Sequence, residues 1–600
     1  MSRIVWIRLV LVATVLFGPL AGGCSLVGPP EPPPSRADRP DCTPVNVSAS
    51  SEKAALLGGI ADGYNMADRK VNGRCVDVRV ATLASGTAAA ALAADWDEDA
   101  NGPRPDVWTP ASSLWCGILE QRLRDAGRPP LLPADRPSIA QTPLVIAMPR
   151  PMAEALGWPG NDIGWTDLAE LAESPAGWGL HKHPEWGAFK LGKTNLSIST
   201  SGMAATVAAF HAKTDLSTDL TPADIANPEF RDFVSSIEGS AVHYGDTTLT
   251  FLQNLYDAAG RGRPLGYVSA VAVEEKSVWD YNQGNPSGNP ATLGKQPPPQ
   301  VQLVAIYPKE GTLVSDNPYV VLTADWVDDA KRAAAADFLS YVHEAPQQKK
   351  FQDAAFRSFD GKPGDPINLE NGMLPDQQVD VFRPPREGVL NEIVGAWSEL
   401  RKKANLIFVL DVSSSMAIPA EGNSGPTRLD LAKSAVKSSL DLLNGQDVLS
   451  VWDFSSELGG AGEPYRVLAP PAPLAGSRTN VERLIDGLEA NGGTALYATT
   501  RKAVERLRAQ FDPTRINAVV VLTDGINEYK KDDDLVRLIA DLETDDDRSR
   551  IRVFPIAYGP DSDAKPLNEI AHATTTGKAY MATTDPKGID KALRDAVSNF

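Results

Sequence analysis

Short apolar runs separated by amphipathic stretches mark the last third of the chain. Residues 406–410 and 518–522 consist only of Leu, Ile, Phe, Val and Ala, and an Asp follows each run within two residues. Runs of this length and composition are typical of strands buried in a parallel sheet. Between them, residues 428–443 carry apolar side chains at the spacing of a helix. The alternation predicts a doubly wound, Rossmann-like α/β domain over 404–600.

A second alternation of short strands and helical patterns covers residues 42–382. The segments 76–80, 144–147 and 301–306 are rich in Val, Ile and Leu, as strands are. Alternation over a stretch of this length predicts an α/β domain large enough for two lobes. Apolar residues at helical spacing then predict a linker helix within 383–403.

The first residues have the pattern of an export signal. Two arginines precede a short apolar core at 9–17, and small residues lead up to Cys24. This order predicts a signal peptide over 1–23. The ending resembles a bacterial lipobox, which implies cleavage before Cys24 and lipidation of that residue. The Pro-rich stretch 24–41 would then be an extended tether between the membrane and the first domain.

The chain has four cysteines, and their placement fits an oxidising compartment. If Cys24 carries lipid, three cysteines remain for pairing. Cys42 and Cys75 both flank early elements of the first domain, which favours a disulfide between them, whereas the alternatives would use Cys116. On this pairing Cys116 is unpaired and buried.

The net charge and the absence of catalytic motifs argue against two classes of function, nucleic-acid binding and catalysis. The formal charge of −19 argues against a nucleic-acid partner, because phosphate binding needs clustered Lys and Arg. The sequence contains neither Gly-x-Ser-x-Gly nor His-Glu-x-x-His, and we find no constellation of catalytic residues in it. We therefore expect a binding protein and no enzyme.

Three loops of the last region carry side chains suited to a metal ion. Asp411, Ser413 and Ser415 follow the first apolar run, Asp524 follows the second, and Thr494 lies in a Gly-Gly-Thr loop between them. Open α/β sheets bind ligands beyond the carboxyl ends of their strands, where these loops are expected. Two carboxylates and three hydroxyls suit a hard divalent cation, with Mg²⁺ preferred over Mn²⁺ or Ca²⁺.

These three motifs, in this order, resemble the metal-ion-dependent adhesion site of von Willebrand factor type A domains. The resemblance covers roughly 404–600, and all five ligand positions of the family are filled. It implies that Asp411, Ser413 and Ser415 are core ligands, and that Thr494 and Asp524 coordinate directly or through water. It also implies a free coordination position that an acidic side chain of a protein partner fills.

Short segments spread over 42–382 carry a second resemblance: 84–87, 105–110, 192–195 with 199–202, 266–269, 307–308 and 311–312. Together they resemble two-lobed bacterial extracellular solute-binding proteins, which have a periplasmic-binding-protein-like fold. The resemblance implies a cleft between the lobes that holds a small polar solute. Small polar residues at two helix starts could present N–H groups to that ligand, although each could equally be a simple helix cap. The expected cleft residues are Ser85, Gly86, Thr87, Thr109, Ser199, Thr200, Ser201, Tyr267 and Ser269.

Together these features resemble a bacterial lipoprotein of the actinobacterial type, held by lipid at the extracytoplasmic face of the cell membrane. It would join a ligand-binding cleft to a metal-dependent protein-binding domain with an adhesion or scaffold role. The alternative is a solute receptor that delivers a small ligand to an ABC-type importer. Such a receptor should bind its solute tightly even without the last domain.

Overall fold

The computed structural model describes residues 41–67, 69–214, 219–376, 380–420, 424–456, 458, 462–543, 550–559, 562–574, 576–577, 579–582 and 588–600. The expected signal peptide, Cys24 and nearly all of the tether lie outside these residues. The described part has a mixed α/β fold, with two lobes, a connecting helix and a third unit built on its own sheet.

The first lobe begins as a mostly parallel sheet covered by helices. Its first elements are β1 (Thr43–Ala49), α1 (Ser51–Met66), β2 (Lys70–Val71), β3 (Arg74–Thr82), α2 (Ser85–Ala93), α3 (Glu98–Asn101), β4 (Val107–Thr109) and α4 (Leu114–Asp125). Strand β1 pairs in parallel with both β3 and β4. Val45 and Val78 of this sheet pack in one apolar core with Leu57 and Ile60 of α1. The period of these apolar residues therefore fixes which face of α1 is covered.

A disulfide joins Cys42 to Cys75. The parallel register sets Thr43 opposite Val76, so Cys42, just before β1, and Cys75, near the start of β3, lie at the same level. Their Cα atoms are 4.5 Å apart. Cys116 is buried in α4 as a free thiol.

The second lobe has a mixed sheet between two layers of helices. Its elements are β5 (Thr142–Pro149), α5 (Arg150–Ala155), α6 (Trp165–Glu173), β6 (Leu191–Thr194), α7 (Thr200–His211), α8 (Pro222–Ala226), α9 (Pro228–Gly239), β7 (Ala241–Gly245), α10 (Thr248–Gly260), β8 (Ala270–Glu274), α11 (Glu275–Asn282), β9 (Leu303–Ile306) and β10 (Val314–Ser315). The strand order is β10-β5-β8-β6-β7, with β9 on β5. Strand β5 is buried along its whole length, as a central strand should be.

The chain then crosses back and completes the first lobe with β11 (Val320–Val321), α12 (Asp329–Val342) and α13 (Ala345–Asp353). The two crossing segments pair with each other through a bridge between Ser138 and Pro318. In addition, the Ile139 N–H donates to the Asn317 carbonyl at 3.1 Å. Two adjacent crossing segments are the arrangement about which lobes of this kind hinge.

The predicted linker helix is α14 (Glu387–Leu400). It is no free spacer, because it packs against α4, α8 and α9 of the lobes. Val389, Leu390 and Ile393 are buried in that contact. The apolar residues that have helical spacing in the sequence therefore form the interface between the linker helix and the lobes.

The third unit has the predicted doubly wound order. Its elements are β12 (Lys403–Asp411), α15 (Arg428–Ser439), β13 (Val448–Phe454), β14 (Tyr465–Pro473), α16 (Leu474–Asp486), α17 (Leu496–Ala509), β15 (Arg515–Thr523), α18 (Leu535–Leu542), β16 (Arg552–Tyr558), α19 (Ala564–Ala573), β17 (Tyr580–Ala582) and α20 (Gly588–Val597). Short 3₁₀ turns at Ser414–Ala417 and Leu440–Leu442 adjoin α15. The sheet order is β14-β13-β12-β15-β16-β17, and β14 is the antiparallel edge. This confirms the fold class predicted from the alternation of apolar runs.

The end of the chain docks on the second lobe. The Tyr244 N–H donates to the Asn599 carbonyl at 2.9 Å, and the Asn195 side chain donates to the Ser598 carbonyl at 3.0 Å. Phe600 is buried against Phe554 of β16. The third unit is thus joined to the second lobe by backbone and side-chain contacts. Among the helices that the structure describes, none has the length and apolar character needed to cross a bilayer.

Candidate metal centre and interlobe cleft

Asp411 is the last residue of β12 and is fully buried. Its Oδ1 accepts a hydrogen bond from the Ser413 N–H at 2.8 Å, and its Oδ2 accepts one from the Thr523 hydroxyl at 2.6 Å. Strand β12 pairs with β13 and β15 on its two sides, so the carboxylate lies at the middle of the sheet edge. This is the carboxyl end of parallel strands, where the sequence predicted the site.

A chain of hydroxyls joins Asp411 to the second carboxylate. The Ser413 and Ser415 hydroxyl oxygens are 3.0 Å apart, and the Ser415 hydroxyl donates to Asp524 Oδ1 at 2.7 Å. Asp524 is also fully buried. Four of the five predicted ligands therefore belong to one hydrogen-bonded set.

Thr494, the fifth predicted ligand, lies beside Gly525, the residue after Asp524. A Cβ atom placed on Gly525 would be only 2.6 Å from the Thr494 hydroxyl oxygen, which shows how closely the two loops approach. The loop of Thr494 is held by the Ser414 N–H, which donates to the Gly492 carbonyl at 2.8 Å. The Glu528 N–H donates to the Thr494 carbonyl, also at 2.8 Å. The three loops predicted to meet therefore do so.

The electrostatics of the set favour a cation. Burial, and after it the nearby charge of Asp524, raises the pKa of Asp411 to about 7. Two carboxylates held close in a dry site repel each other unless a positive charge lies between or beside them. The other groups are hydroxyl oxygens, which match a hard divalent ion. The residues present therefore fit such a metal.

Sequence reasoning missed two residues of this site, Arg428 and Thr523. The Arg428 guanidinium donates to Asp524 Oδ2 at 2.8 Å. Arg428 is the first residue of α15, and nothing in the sequence indicates that its side chain turns toward the sheet edge. Thr523 could have been found from strand register. It comes one residue after Leu522, which pairs with Leu410, so Thr523 and Asp411 occupy the same level of neighbouring strands.

The two helix starts predicted to line the cleft meet directly. The Ser85 and Thr200 hydroxyl oxygens are 3.5 Å apart, and the Gly86 N–H donates to the Ile198 carbonyl at 3.0 Å. A Cβ atom on Gly86 would be 2.4 Å from the Ser197 carbonyl oxygen. The lobes are therefore closed against each other at this point.

The hydroxyls at this contact bond to protein groups. The Trp115 indole N–H donates to the Thr200 hydroxyl at 2.9 Å, and the Ala111 N–H donates to the Ser85 hydroxyl at 3.1 Å. Ser199 and Ser201 bond to each other at 3.1 Å. Of these bonds, the one from Trp115 to Thr200 joins the two lobes.

Two of the remaining expected cleft residues bond inside the second lobe instead. Tyr267 and Ser269 are not brought to the helix starts, which corrects the sequence expectation. The Tyr267 hydroxyl is 2.6 Å from Nε2 of His243, and the Ser269 hydroxyl accepts from the Trp178 indole at 3.0 Å, both inside the second lobe. Thr109 ends β4 fully buried, and Thr87 lies half-buried in the first turn of α2. A polar side chain near the end of a strand can make a hydrogen bond inside the protein as easily as it can bind a ligand. The sequence alone does not distinguish these two roles.

Comparison with known families agrees with these two architectures. Residues 45–357 match the family described as bacterial extracellular solute-binding protein, and residues 406–527 match the von Willebrand factor type A domain. The first match covers more than half of the chain. The chain therefore belongs to the bacterial extracellular solute-binding protein family and carries a von Willebrand factor type A domain after it.

Similar proteins are found in Mycobacterium tuberculosis. The uncharacterized protein Rv1836c of strain H37Rv and the uncharacterized protein MT1884 of strain CDC 1551 are each 25% identical to the chain over 484 residues. The alignment covers 80% of this chain and 66% of each relative, so the chain spans slightly less than two thirds of their length.

Solved structures resemble separate parts of the chain. A von Willebrand factor type A protein from Catenulispora acidiphila is 24% identical, covers 33% of this chain and 42% of its own, and has a TM-score of 0.28. The periplasmic binding protein AfuA from Actinobacillus pleuropneumoniae, solved with fructose-6-phosphate, is 14% identical. It covers 60% of this chain and 99% of its own, with a TM-score of 0.38.

Proposed function

We propose that the chain is a lipid-anchored protein of the extracytoplasmic face that binds a protein partner through a divalent cation in its last domain. The observation that carries this proposal is the convergence of Asp411, Ser413, Ser415, Thr494 and Asp524 at one sheet edge. A family described as extracellular supports a location outside the cytoplasm. Lipidation at Cys24 would hold the chain there.

Each residue of the site has a separate role in this proposal. Asp411 would hold the cation together with the Ser413 and Ser415 hydroxyls, and Thr523 keeps the Asp411 carboxylate oriented by its hydrogen bond. Thr494 and Asp524 would complete the set directly or through water. When bound, Mg²⁺, or Mn²⁺ or Ca²⁺ in its place, supplies a position at which an acidic oxygen of the partner can bind.

The two-lobed domain would present a small polar solute or act as a closed platform. Direct contact between Gly86 and the segment of Ser197 favours the platform, because that contact lies where the helix starts would otherwise face a ligand. The two crossing segments favour the second candidate, a receptor that opens and delivers its solute to an importer. A receptor should bind a defined solute with the last domain inactivated, whereas a platform should not.

Asp411→Asn tests the metal site. We expect this variant of the full chain to lose Mg²⁺ binding in calorimetry while keeping its circular dichroism spectrum and unfolding temperature. Asn keeps the shape of the side chain, and the loss of one buried charge relieves repulsion from Asp524.

Asp453→Asn is the matched control, because Asp453 is equally buried near the end of the neighbouring strand β13 but pairs with Arg466. It should keep the metal affinity of the natural chain. Unchanged Mg²⁺ binding in Asp411→Asn would refute the metal site.

A further inference from the structure

Glu274 of the second lobe is a buried carboxyl group without a hydrogen bond to any other residue that the structure describes. It is the last residue of β8 and is only 1% exposed. Neither of its two carboxyl oxygens has a partner among the other described residues. Buried polar groups are nearly always hydrogen-bonded, because leaving water without a new partner costs free energy. Glu274 is therefore an exception, and its position in the fold gives a reason for it.

The end of β8 lies near the place where the chain crosses between the lobes. Glu274 pairs with Leu144 of β5, and the Leu144 N–H donates to the Leu313 carbonyl at 2.9 Å. Four residues after Leu313 comes Asn317, in one of the two crossing segments. From the first lobe, the Lys53 ammonium in α1 donates to the Asn317 side-chain oxygen at 2.9 Å. The start of α1 and the end of β8 therefore approach this crossing from different lobes.

Glu52, in the first turn of α1, brings a second carboxyl group to this boundary. One of its oxygens is also buried without a partner among the described residues. Burial, and after it the charge of Glu52, raises the pKa of Glu274 to about 8. Two carboxylates that share a dry region cannot both ionise without cost. Each lobe thus contributes one acidic group to a pair that repels when both groups are charged.

Lys53 does not neutralise this pair by a direct bond. Its buried ammonium donates to the Ser50 hydroxyl at 2.6 Å, to the Pro110 carbonyl at 3.1 Å and to Asn317. An ammonium group has three donors, so all of them are used. Burial lowers the pKa of Lys53 to about 7, which reduces its positive charge near neutral pH. The attraction between Lys53 and Glu274 therefore offsets little of the cost of burial.

The charged groups on the side of the second lobe are paired with one another. Lys276, the second residue of α11, forms a buried ion pair with Asp280. Glu275 forms an ion pair with Arg357 at 2.9 Å. In the crossing, Asp316 accepts a hydrogen bond from a backbone N–H of the first lobe at 2.7 Å. None of these described groups supplies a hydrogen bond to the buried carboxyl group of β8.

We propose that Glu274 and Glu52 form a pH-sensitive switch between the lobes, in which a proton on Glu274 permits closure and its loss favours opening. With the proton in place, the closed lobes bury a neutral carboxyl group beside Glu52. When the lobes part, water reaches Glu274 and the two groups separate, so both can ionise. Closure is therefore coupled to the uptake of a proton. The switch lies in the two-lobed domain, apart from the metal centre, and goes beyond the proposed function.

The raised pKa of Glu274 sets the direction of this coupling. The group titrates near its usual pKa of 4.5 when water surrounds it and at about 8 in the closed form. Between these values, the closing equilibrium should shift toward the open form by up to about tenfold for each pH unit. Closure is thus strongest at acidic pH and weakens up to about pH 8. Lys53 should not add to this effect, because its partners lie in the first lobe and the crossing and remain with it.

Small-angle scattering of the full chain between pH 6 and pH 8.5, at constant ionic strength, tests the proposal. We expect the radius of gyration of the natural chain to rise with pH. Glu274→Gln should stay at the low-pH value throughout, because Gln has nearly the same shape and carries no charge. Glu52→Gln should respond less, since it removes the repulsion and leaves burial alone to raise the pKa of Glu274. Glu370→Gln, at an exposed acid of the same domain, is the control and should follow the natural chain.

The same series in the Gly86→Ala background extends the test to a chain whose lobes close less tightly. A Cβ atom on Gly86 crowds the contact between the lobes, so a smaller change suffices to open them. A radius of gyration that is constant with pH in both backgrounds would overturn the proposal. So would a pH response of Glu274→Gln equal to that of the natural chain. If Glu274→Gln does not fold, Glu52→Gln remains the test, and a response equal to that of the natural chain contradicts the switch.

Discussion

At the scale of single residues, Asp524 has two neighbours with opposite consequences for a metal. Ser415 donates to one carboxylate oxygen and offers its own oxygen to a cation. Arg428 donates to the other oxygen and brings a positive charge that competes with a cation. The Arg428 side chain is only 9% exposed, so water screens this charge little. The balance of these neighbours should set the metal affinity of the site.

Arg428→Gln should therefore tighten Mg²⁺ binding to the full chain, by roughly threefold to tenfold for one partly screened charge. Calorimetry at fixed ionic strength measures it. Arg466→Gln is the matched control, because Arg466 pairs with Asp453 of β13 and not with Asp524. Weaker binding in Arg428→Gln would show instead that Arg428 is needed to hold Asp524 in place.

At the scale of elements, the start of helix α2 determines how close the lobes come. Gly86 lies in its first turn, where the backbone of the other lobe passes directly over it. Only a residue without a Cβ atom allows the Gly86 N–H to reach the Ile198 carbonyl. The closed arrangement of the lobes thus depends on one glycine.

Gly86→Ala should open the lobes or destabilise the closed state, at a cost of about 1–3 kcal/mol for an overpacked contact. Small-angle scattering should report a larger radius of gyration, and thermal unfolding a lower midpoint. Gly58→Ala in α1 is the matched control, since a Cβ atom there meets nothing within 4 Å. That control should be neutral or slightly stabilising, because Ala favours helix. Identical behaviour of the two variants would mean that Gly86 does not limit closure.

At the scale of the whole molecule, the end of the chain determines how the third unit is joined to the lobes. His243 of β7 is buried between Tyr267 and Asn599, its Nε2 2.6 Å from the Tyr267 hydroxyl oxygen. Burial, and after it the charge of Arg552, lowers the pKa of His243 from 6.5 to about 3. The folded chain therefore keeps this imidazole neutral, whereas the unfolded chain takes up a proton near pH 6.5.

The stability that this histidine contributes is consequently complete above pH 6.5 and is lost as the pH falls from 6.5 toward 3. We expect the urea unfolding free energy of the natural chain to fall between pH 7 and pH 5 more steeply than that of His243→Gln. His183→Gln, at a half-exposed histidine of the second lobe, serves as control and should follow the natural chain. Parallel curves for His243→Gln and the natural chain would contradict this origin of the pH dependence.

The proposed lipid anchor at Cys24 would determine where the whole molecule is located. Cys24→Ser should move the protein from the membrane fraction to the soluble fraction, because a diacylated cysteine supplies the two chains that stable anchoring needs. Fractionation followed by a salt wash measures it, and Cys116→Ser, at a buried free thiol, is the control. Retention of Cys24→Ser on washed membranes would rule out the lipid anchor.

The sequence by itself determined the division into α/β regions, the doubly wound order of the last one and the five residues that meet at the candidate metal centre. It could do so because short apolar runs are local patterns, and the residue that follows a buried strand lies at a predictable sheet edge. The sequence could also have predicted Thr523, because the pairing register of the two strands places it beside Asp411.

Only the tertiary structure decided the rest. It turned Arg428 toward Asp524, closed the lobes on Gly86, and placed Tyr267 away from the expected cleft. It also buried Glu274 within reach of charges from the first lobe. These arrangements bring together residues that are far apart in the chain. The periodicity of apolar residues and the spacing of motifs do not predict which distant elements will pack together. Their effects come from burial and from charges brought close together, which exist only once the chain has folded.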